Sequence, residues 1–274
     1  KFDPSKNNTA ARRTAHADVK ILRKGTALDR SLLITWYDLP AESRGAYLPW
    51  LHGSFMQKLS QRPGVLWAAH YEVRKYEIPS RVRPTRDSAV PRGNDFVLML
   101  GAETSHAFAK PLDFFLKRDG ACVEPDLSAE DRAMLALRKE VRVSIMTEEA
   151  RVSGPEIAVR PDGTAPAPCI QLGSFCGNDQ AAEEELLGWY ARWRMPALSK
   201  LPGCVALRKM VSVAGWAHHG VMYEFKSFDV RAAAMKEMAG LYPEMVAWTE
   251  RCVPLLTHAH GSPPLGVRLW PAVN

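Results

Sequence analysis

The chain has no long apolar run. Nothing in it approaches the roughly 18 residues that a membrane-spanning helix needs, and no membrane partner is expected. Residues 1–25 are polar and basic, without the apolar middle of a secretory signal; an N-terminal arm over 1–28 is expected. Cysteine is scarce: five residues, an odd number, with no C-x-x-C spacing. That argues against a disulfide framework and a structural zinc site, and for a reducing cytoplasm. G-x-G-x-x-G, the P-loop and G-x-S-x-G are all missing, which removes nucleotide and serine-type hydrolysis from view. No basic stripe with interleaved aromatics marks a nucleic-acid reader.

What remains is an ordinary globular composition, 46% hydrophobic and 24% charged over 274 residues, with a net charge of +6. The mild positive balance suits small anionic molecules.

The informative feature is a repeat. "WLHGSFMQKLSQRPG" starts at Trp50, and "WYARWRMPALSKLPG" starts at Trp189. Without a gap, Met56, Leu59, Ser60, Pro63 and Gly64 fall on Met195, Leu198, Ser199, Pro202 and Gly203. "NDFVLML" from Asn94 aligns with "HGVMYEF" from His219, and "SIMTEEA" from Ser144 with "PLLTHAH" from Pro254. Each copy reads as strand, helix, two strands, helix, strand.

In the first copy the strands are "SLLITWY", "VLWAAHYEV", "DFVLML" and "VRVSIMTEE", with helices over 41–61 and 106–137. In the second they are "CIQLGSF", "CVALRKMVSV", "GVMYEFKSF" and "CVPLLTHAH", with helices over 181–201 and 230–249. This order, βαββαβ, is the ferredoxin-like unit. The expected fold class is therefore α+β: two tandem ferredoxin-like units packed sheet to sheet, closing a barrel within one chain. The expected layout is a first unit over 29–158, a linker over 159–167, a second unit over 168–262 and a C-terminal tail over 263–274. Fusion removes the need to dimerise for closure and leaves a further homo-oligomer open.

Tyr47, Trp50, His52 and "QRPGVLWAAHYEV", with "WRMPALSKLPGCVALRK" in the second copy, resemble the dimeric α+β barrel superfamily and its EthD-like members. That resemblance spans about 31–260 and implies a fold more than a reaction. The superfamily holds cofactor-free monooxygenases, cyclases, isomerases and haem-degrading enzymes. It implies an enzyme without a cofactor, acting on a small aromatic or polyketide-like molecule by histidine-mediated proton transfer. A haem-binding barrel, with His52 as axial ligand and Trp67 against the macrocycle, is one alternative. A non-catalytic small-molecule binder is another.

His52 is the leading catalytic candidate. It lies within about 60° of the centre of the apolar stripe Leu48, Leu51, Phe55 and Leu59 and should face the sheet. There it serves either as a general base or as a core histidine with one hydrogen bond. The second copy has Ala191 in its place, so one pocket keeps the histidine. Arg194 stands at the Phe55 position on an inward stripe and needs an anion, from a substrate or from a structural carboxylate. His219 should share the helix-covered face of its strand. His258 and His260, two apart on a strand, should face one way, with Glu148 and Ala150 as their first-copy counterparts. No metal is assigned to them. Trp36, Trp67 and Tyr71 are candidates for an aromatic-binding pocket; Phe55, Tyr223, His260 and His70, the last on the strand face opposite Trp67 and Tyr71, are further candidate substrate contacts. Arg74 to Arg92, rich in Arg and Pro, reads as a basic lid or a solvated loop.

Overall fold

The computed structural model describes residues 28–108, 127–161 and 163–273. The stretch 1–27 of the expected arm lies outside the described residues, as does 109–126 of the expected helix over 106–137.

The first half runs β1 (Ser31–Asp38), α1 (Ala41–Trp50), a π-helical turn (Leu51–Phe55), α2 (Met56–Ser60), β2 (Val65–Arg74), β3 (Arg83–Pro84), β4 (Phe96–Ala102), α3 (Ala129–Leu135) and β5 (Lys139–Ser153). The second half runs β6 (Cys169–Gly177), α4 (Gln180–Trp189), a π-helical turn (Tyr190–Arg194), α5 (Met195–Leu198), β7 (Cys204–Ala214), β8 (His219–Phe225), α6 (Phe228–Leu241), α7 (Pro243–Cys252), β9 (Leu256–His258) and β10 (Leu265–Trp270). The two π turns start at Leu51 and Tyr190, each directly after the tryptophan that opens the repeat.

Both helical segments end in the same way. Gly64 and Gly203 follow Pro63 and Pro202 with φ of 84° and 81°, a conformation that glycine adopts without penalty. A side chain at Gly203 would also strike Val230, whose Cγ1 lies 2.2 Å from where a Cβ would sit. Helix starts are capped by short polar side chains: Asp179 accepts from Ala182 N at 2.8 Å and Ser227 from Val230 N at 3.2 Å.

Eight antiparallel strands close in the order β2-β4-β1-β5-β7-β8-β6-β10 and back to β2. Each half contributes its strands in the same order, second, third, first, fourth. The long β5 pairs with β1 through its first part and with β7 through its last. In the second half that fourth-strand role is split. β9 pairs with Phe175 to Gly177 at one end of β6, and β10 pairs with Cys169 to Gln171 before crossing to β2.

The sequence-based layout is corrected here. Residues 265–270, placed in a tail, are the strand that closes the barrel. Their partners are distant in sequence, so local pattern did not reveal them. "CVPLLTHAH" holds only three strand residues. The helix expected over 230–249 is two helices, because Pro243 has no N–H and pushes Tyr242 out of the helical region (φ −132°, ψ 68°). Nor is 159–167 a free linker. Tyr71 donates its hydroxyl hydrogen to Pro166 O and Ala167 O, both at 3.1 Å, and Arg160 is buried.

Three cores result. One lies between the first half's helices and the outer face of its strands, a second lies likewise in the second half, and the third fills the barrel. No helix among the described residues is long and apolar enough to cross a membrane.

Candidate functional site

A cleft of about 240 Å³ in the first half is walled by the charged Arg44, Glu72, Arg74, Lys75 and Asp95. A cavity lined mostly by aromatic and apolar side chains lies in the second half, between β6, β8 and the helices, with a volume of about 160 Å³. An engineered apolar cavity of roughly 150 Å³ takes a benzene ring, so this one suits a single-ring molecule. Arg194, Tyr190, Tyr223, Phe175, Trp189 and His258 line it.

Arg194 ends the π turn and is 7% exposed. Its Nε donates to the Tyr223 hydroxyl at 3.0 Å, and Tyr223 and Tyr190 hydroxyls meet at 3.3 Å. The guanidinium carbon sits 5.4 Å from the Trp189 ring centroid and 5.1 Å from that of Tyr223. Nη1 lies 3.9 Å from the Met238 sulfur and 4.0 Å from that of Met245. No carboxylate among the described residues pairs with it. Of the two anion sources open to Arg194, the structural carboxylate is therefore missing. Burial, and then the Tyr223 hydroxyl, hold the Tyr190 phenol well above its ordinary range, so it stays protonated.

A second arginine, Arg231, reaches the same cavity and donates to Gln171 Oε1 at 2.6 Å. On another wall is His258, 5% exposed, whose Nδ1 has no well-formed hydrogen bond among the described residues; burial, opposed by the Leu256 and Arg83 backbones, pushes its pKa down to about 4. The imidazole is thus neutral around pH 7.

The mouth is crossed by Arg74 to Arg92 of the first half. Tyr76 and Val82 line the cavity, Tyr76 donates to Pro263 O, and Arg81 pairs with Glu250 at 2.9 Å. β3 lies parallel to β9, and Thr85 N donates to His258 O at 2.7 Å. The basic segment is therefore a strap laid over the opposite half.

The first half has a different arrangement. His52 Nε2 and His70 Nδ1 are 2.8 Å apart, and His70 Nε2 meets the Tyr37 hydroxyl at 2.8 Å. His52 does face the sheet, and His70 is fully buried. Burial lowers the pKa of both, and for His70 His52 adds to it, so the pair is neutral. Phe55 occupies the place of Arg194 and stacks on Trp50 at 4.6 Å. Neither His52 nor His70 is among the residues lining the cavity.

The structure thus brings Arg194, Tyr223 and His258 together, and separately His52 with His70. The remaining candidates fall elsewhere. Trp36, Trp67 and Tyr71 pack inside the barrel, across the sheet from His52; Trp67 donates to Asp29 Oδ2 at 2.8 Å. His219 faces the helices, as its alternation predicts, but is held by Glu183 at the start of α4 and stacks on Phe175.

His260 does not share a face with His258. It lies past the end of β9, where burial, and then the charges of Arg92 and Arg142, lower its pKa. Glu148 is no counterpart of His258 either. It follows the residue opposite the start of β1, whereas His258 pairs near the end of β6. No group of three His, Cys, Asp or Glu among the described residues is arranged to hold a metal.

The haem arrangement does not fit. His52 Nε2 is engaged by His70, and Trp67 is on the other face of the sheet. Sequence reasoning missed Tyr190, Trp189 and Arg231 as site residues. Tyr190 carried a signal, since it replaces Leu51 one helical turn from the change of Phe55 to Arg194.

No known family and no curated protein matches the chain. Solved structures do. A "putative monooxygenase" from Fusobacterium nucleatum subsp. nucleatum superposes with a TM-score of 0.54 at 9% identity, covering 86% of this chain and 91% of its own. An anthrone oxidase-like protein gives 0.51 at 11% identity, covering 89% and 93%. At such identities the likeness is one of fold, and the fold is that of the dimeric α+β barrel.

Proposed function

We propose that the chain is an enzyme of this fold whose substrate is a small, single-ring phenol, enol or aromatic acid, bound as an anion in the second-half cavity. One observation carries the reading: Arg194 sits buried at an aromatic cavity without a carboxylate partner. A buried cation costs several kcal/mol unless something pairs with it, and here the cavity leaves that place to a ligand.

In this reading the substrate ring packs against Trp189 and Phe175. Its oxygen is held by Arg194 and the Tyr223 hydroxyl, donors fixed in place before the reaction. For a phenol or enol, which enters neutral, His258 is the base and takes the hydroxyl proton on Nδ1, leaving the bound oxyanion; an aromatic acid enters already ionised and is bound without that step. The oxyanion and imidazolium formed together stabilise each other, which lifts the base above its resting pKa of about 4. The product of that step is an electron-rich phenolate or enolate, from which isomerisation, cyclisation or oxygenation starts, and no cofactor is needed for the proton transfer itself. His258 thereby takes the role that the sequence assigned to His52.

The two halves are then two copies of one ferredoxin-like unit, of which the second kept the pocket. The matching position of the π turns, at Leu51 and at Tyr190, supports it, and π bulges collect at functional sites.

Thermal unfolding with a panel of phenols and benzoates tests the proposal. At 100 times its dissociation constant a ligand should raise the midpoint by roughly 5–10 °C. The shift should vanish in Arg194→Met and persist in His52→Ala. A shift that survives Arg194→Met, or is lost in His52→Ala, overturns it.

A further inference from the structure

Charge lies inside the barrel at both ends, and only one end is balanced. Near the start of β1, Asp29 takes Arg208 at 2.6 Å, Arg160 at 2.5 Å and Arg151 at 3.0 Å. Glu224, fully buried, adds Arg160 at 3.2 Å and Arg208 at 3.4 Å, and Glu148 contacts Arg151 and Arg208. Three arginines thus face three carboxylates.

At the other end stands Arg142, the cross-strand partner of Trp36 and 4% exposed. Its guanidinium carbon lies 4.5 Å from the Trp36 ring centroid. Nη1 donates to two backbone carbonyls, Pro91 O at 3.2 Å and His260 O at 3.5 Å. Nε and Nη2 have no partner among the described residues, and no carboxylate there pairs with the side chain. These two nitrogens form one edge of the guanidinium fork, whose paired N–H groups match the two oxygens of a planar anion. Two further buried nitrogens close by, Trp36 Nε1 and His260 Nε2, are also unpartnered. Burial pulls Arg142 down only to about 10, so it stays charged at neutral pH.

We propose that the Nε–Nη2 edge of Arg142 binds a small planar oxyanion, of the carboxylate or bicarbonate kind, inside this end of the barrel. A backbone carbonyl pair and a π face offset part of the cost of burying the guanidinium, and the anion supplies the missing charge. Arg142 lies on β5 of the first half and His260 follows β9 of the second, so the anion fixes a side chain that joins the halves. The site is distinct from the Arg194 cavity and does not depend on its reading.

Equilibrium dialysis with radiolabelled formate is the test, paired with thermal unfolding in formate against gluconate at equal ionic strength. Arg194→Met should bind one equivalent, wild type should bind at least that one, and formate at ten times its dissociation constant should raise both midpoints by about 3–6 °C. The Arg142 variants are compared in the Arg194→Met background. Arg142→Lys keeps the charge and loses the fork, and should bind about ten- to a hundredfold more weakly. Arg142→Met should not bind; where it does not fold, the lysine variant decides. Binding lost in Arg194→Met, equal binding by Arg142→Lys, or no binding by wild type overturns the proposal.

Discussion

At the same turn of helix, in the two halves of one barrel, a tryptophan stacks on different partners. In the first half Trp50 meets Phe55 at 4.6 Å, in the second Trp189 meets the Arg194 guanidinium at 5.4 Å. The π turn, the Pro-Gly stop and the strand order around them are the same. Phe55 fills its site and leaves a packed wall. Arg194 brings a charge that needs a ligand or solvent, and a cavity of about 160 Å³ goes with it. A site on this scaffold therefore depends less on the backbone than on which side chain occupies one inward position.

The harshest exchange gives the first half the second's residue. Phe55→Arg places a cation against Trp50, Leu51 and Leu59 with no cavity to receive it. A buried charge without a partner costs about 3–5 kcal/mol, and urea unfolding should register a loss of that size. The reverse exchange, Arg194→Phe, should cost little stability, because the cation it removes has no carboxylate. It should instead abolish binding of phenols and benzoates in the second-half cavity and lower turnover by about 10²- to 10³-fold, the effect of losing one oxyanion donor, measured as kcat/KM once a substrate is found.

A smaller effect separates the histidines of the two halves. His258 has a folded pKa of about 4 against an ordinary 6.5. Below pH 6.5 the unfolded chain takes a proton that the folded chain refuses. Stability is therefore lost as pH falls, by about 1.4 kcal/mol per unit, and the loss levels off near pH 4 at roughly 3 kcal/mol. His258→Gln should remove that part of the slope. His70 and His52 are depressed in the same direction and keep their own share. Unfolding by urea at pH 7, 6, 5 and 4 in both proteins gives the difference.

Much of this fold was legible in the sequence because its signals are local. The Pro-Gly stops, the paired Trp-to-Gly segments and the alternating strands each read within a short window of the chain. The closing strand did not read, since Leu265–Trp270 gains its meaning only from partners at 70–74 and 169–171. The strap was visible as a long basic insertion, but that it covers the other half's mouth is a tertiary fact. His52 was visible as a histidine facing the sheet, and His70 as one on the strand face opposite Trp67 and Tyr71. Their contact was not, because they come from different elements, and that contact engages one of the two ring nitrogens of His52.

The mildest exchange makes the first helix resemble the second: His52→Ala, matching Ala191. It removes one partner of His70 Nδ1 and leaves that nitrogen in a fully buried ring. An orphaned buried group costs about 1–3 kcal/mol. Since His52 is partly exposed, water can reach the space its side chain vacates and return part of that, so the expected loss is about 1 kcal/mol. Binding at Arg194 should not change. If His52→Ala instead keeps full stability and loses turnover, the working site lies in the first half, and the phenylalanine at position 55 is then a wall of that site and not its closure.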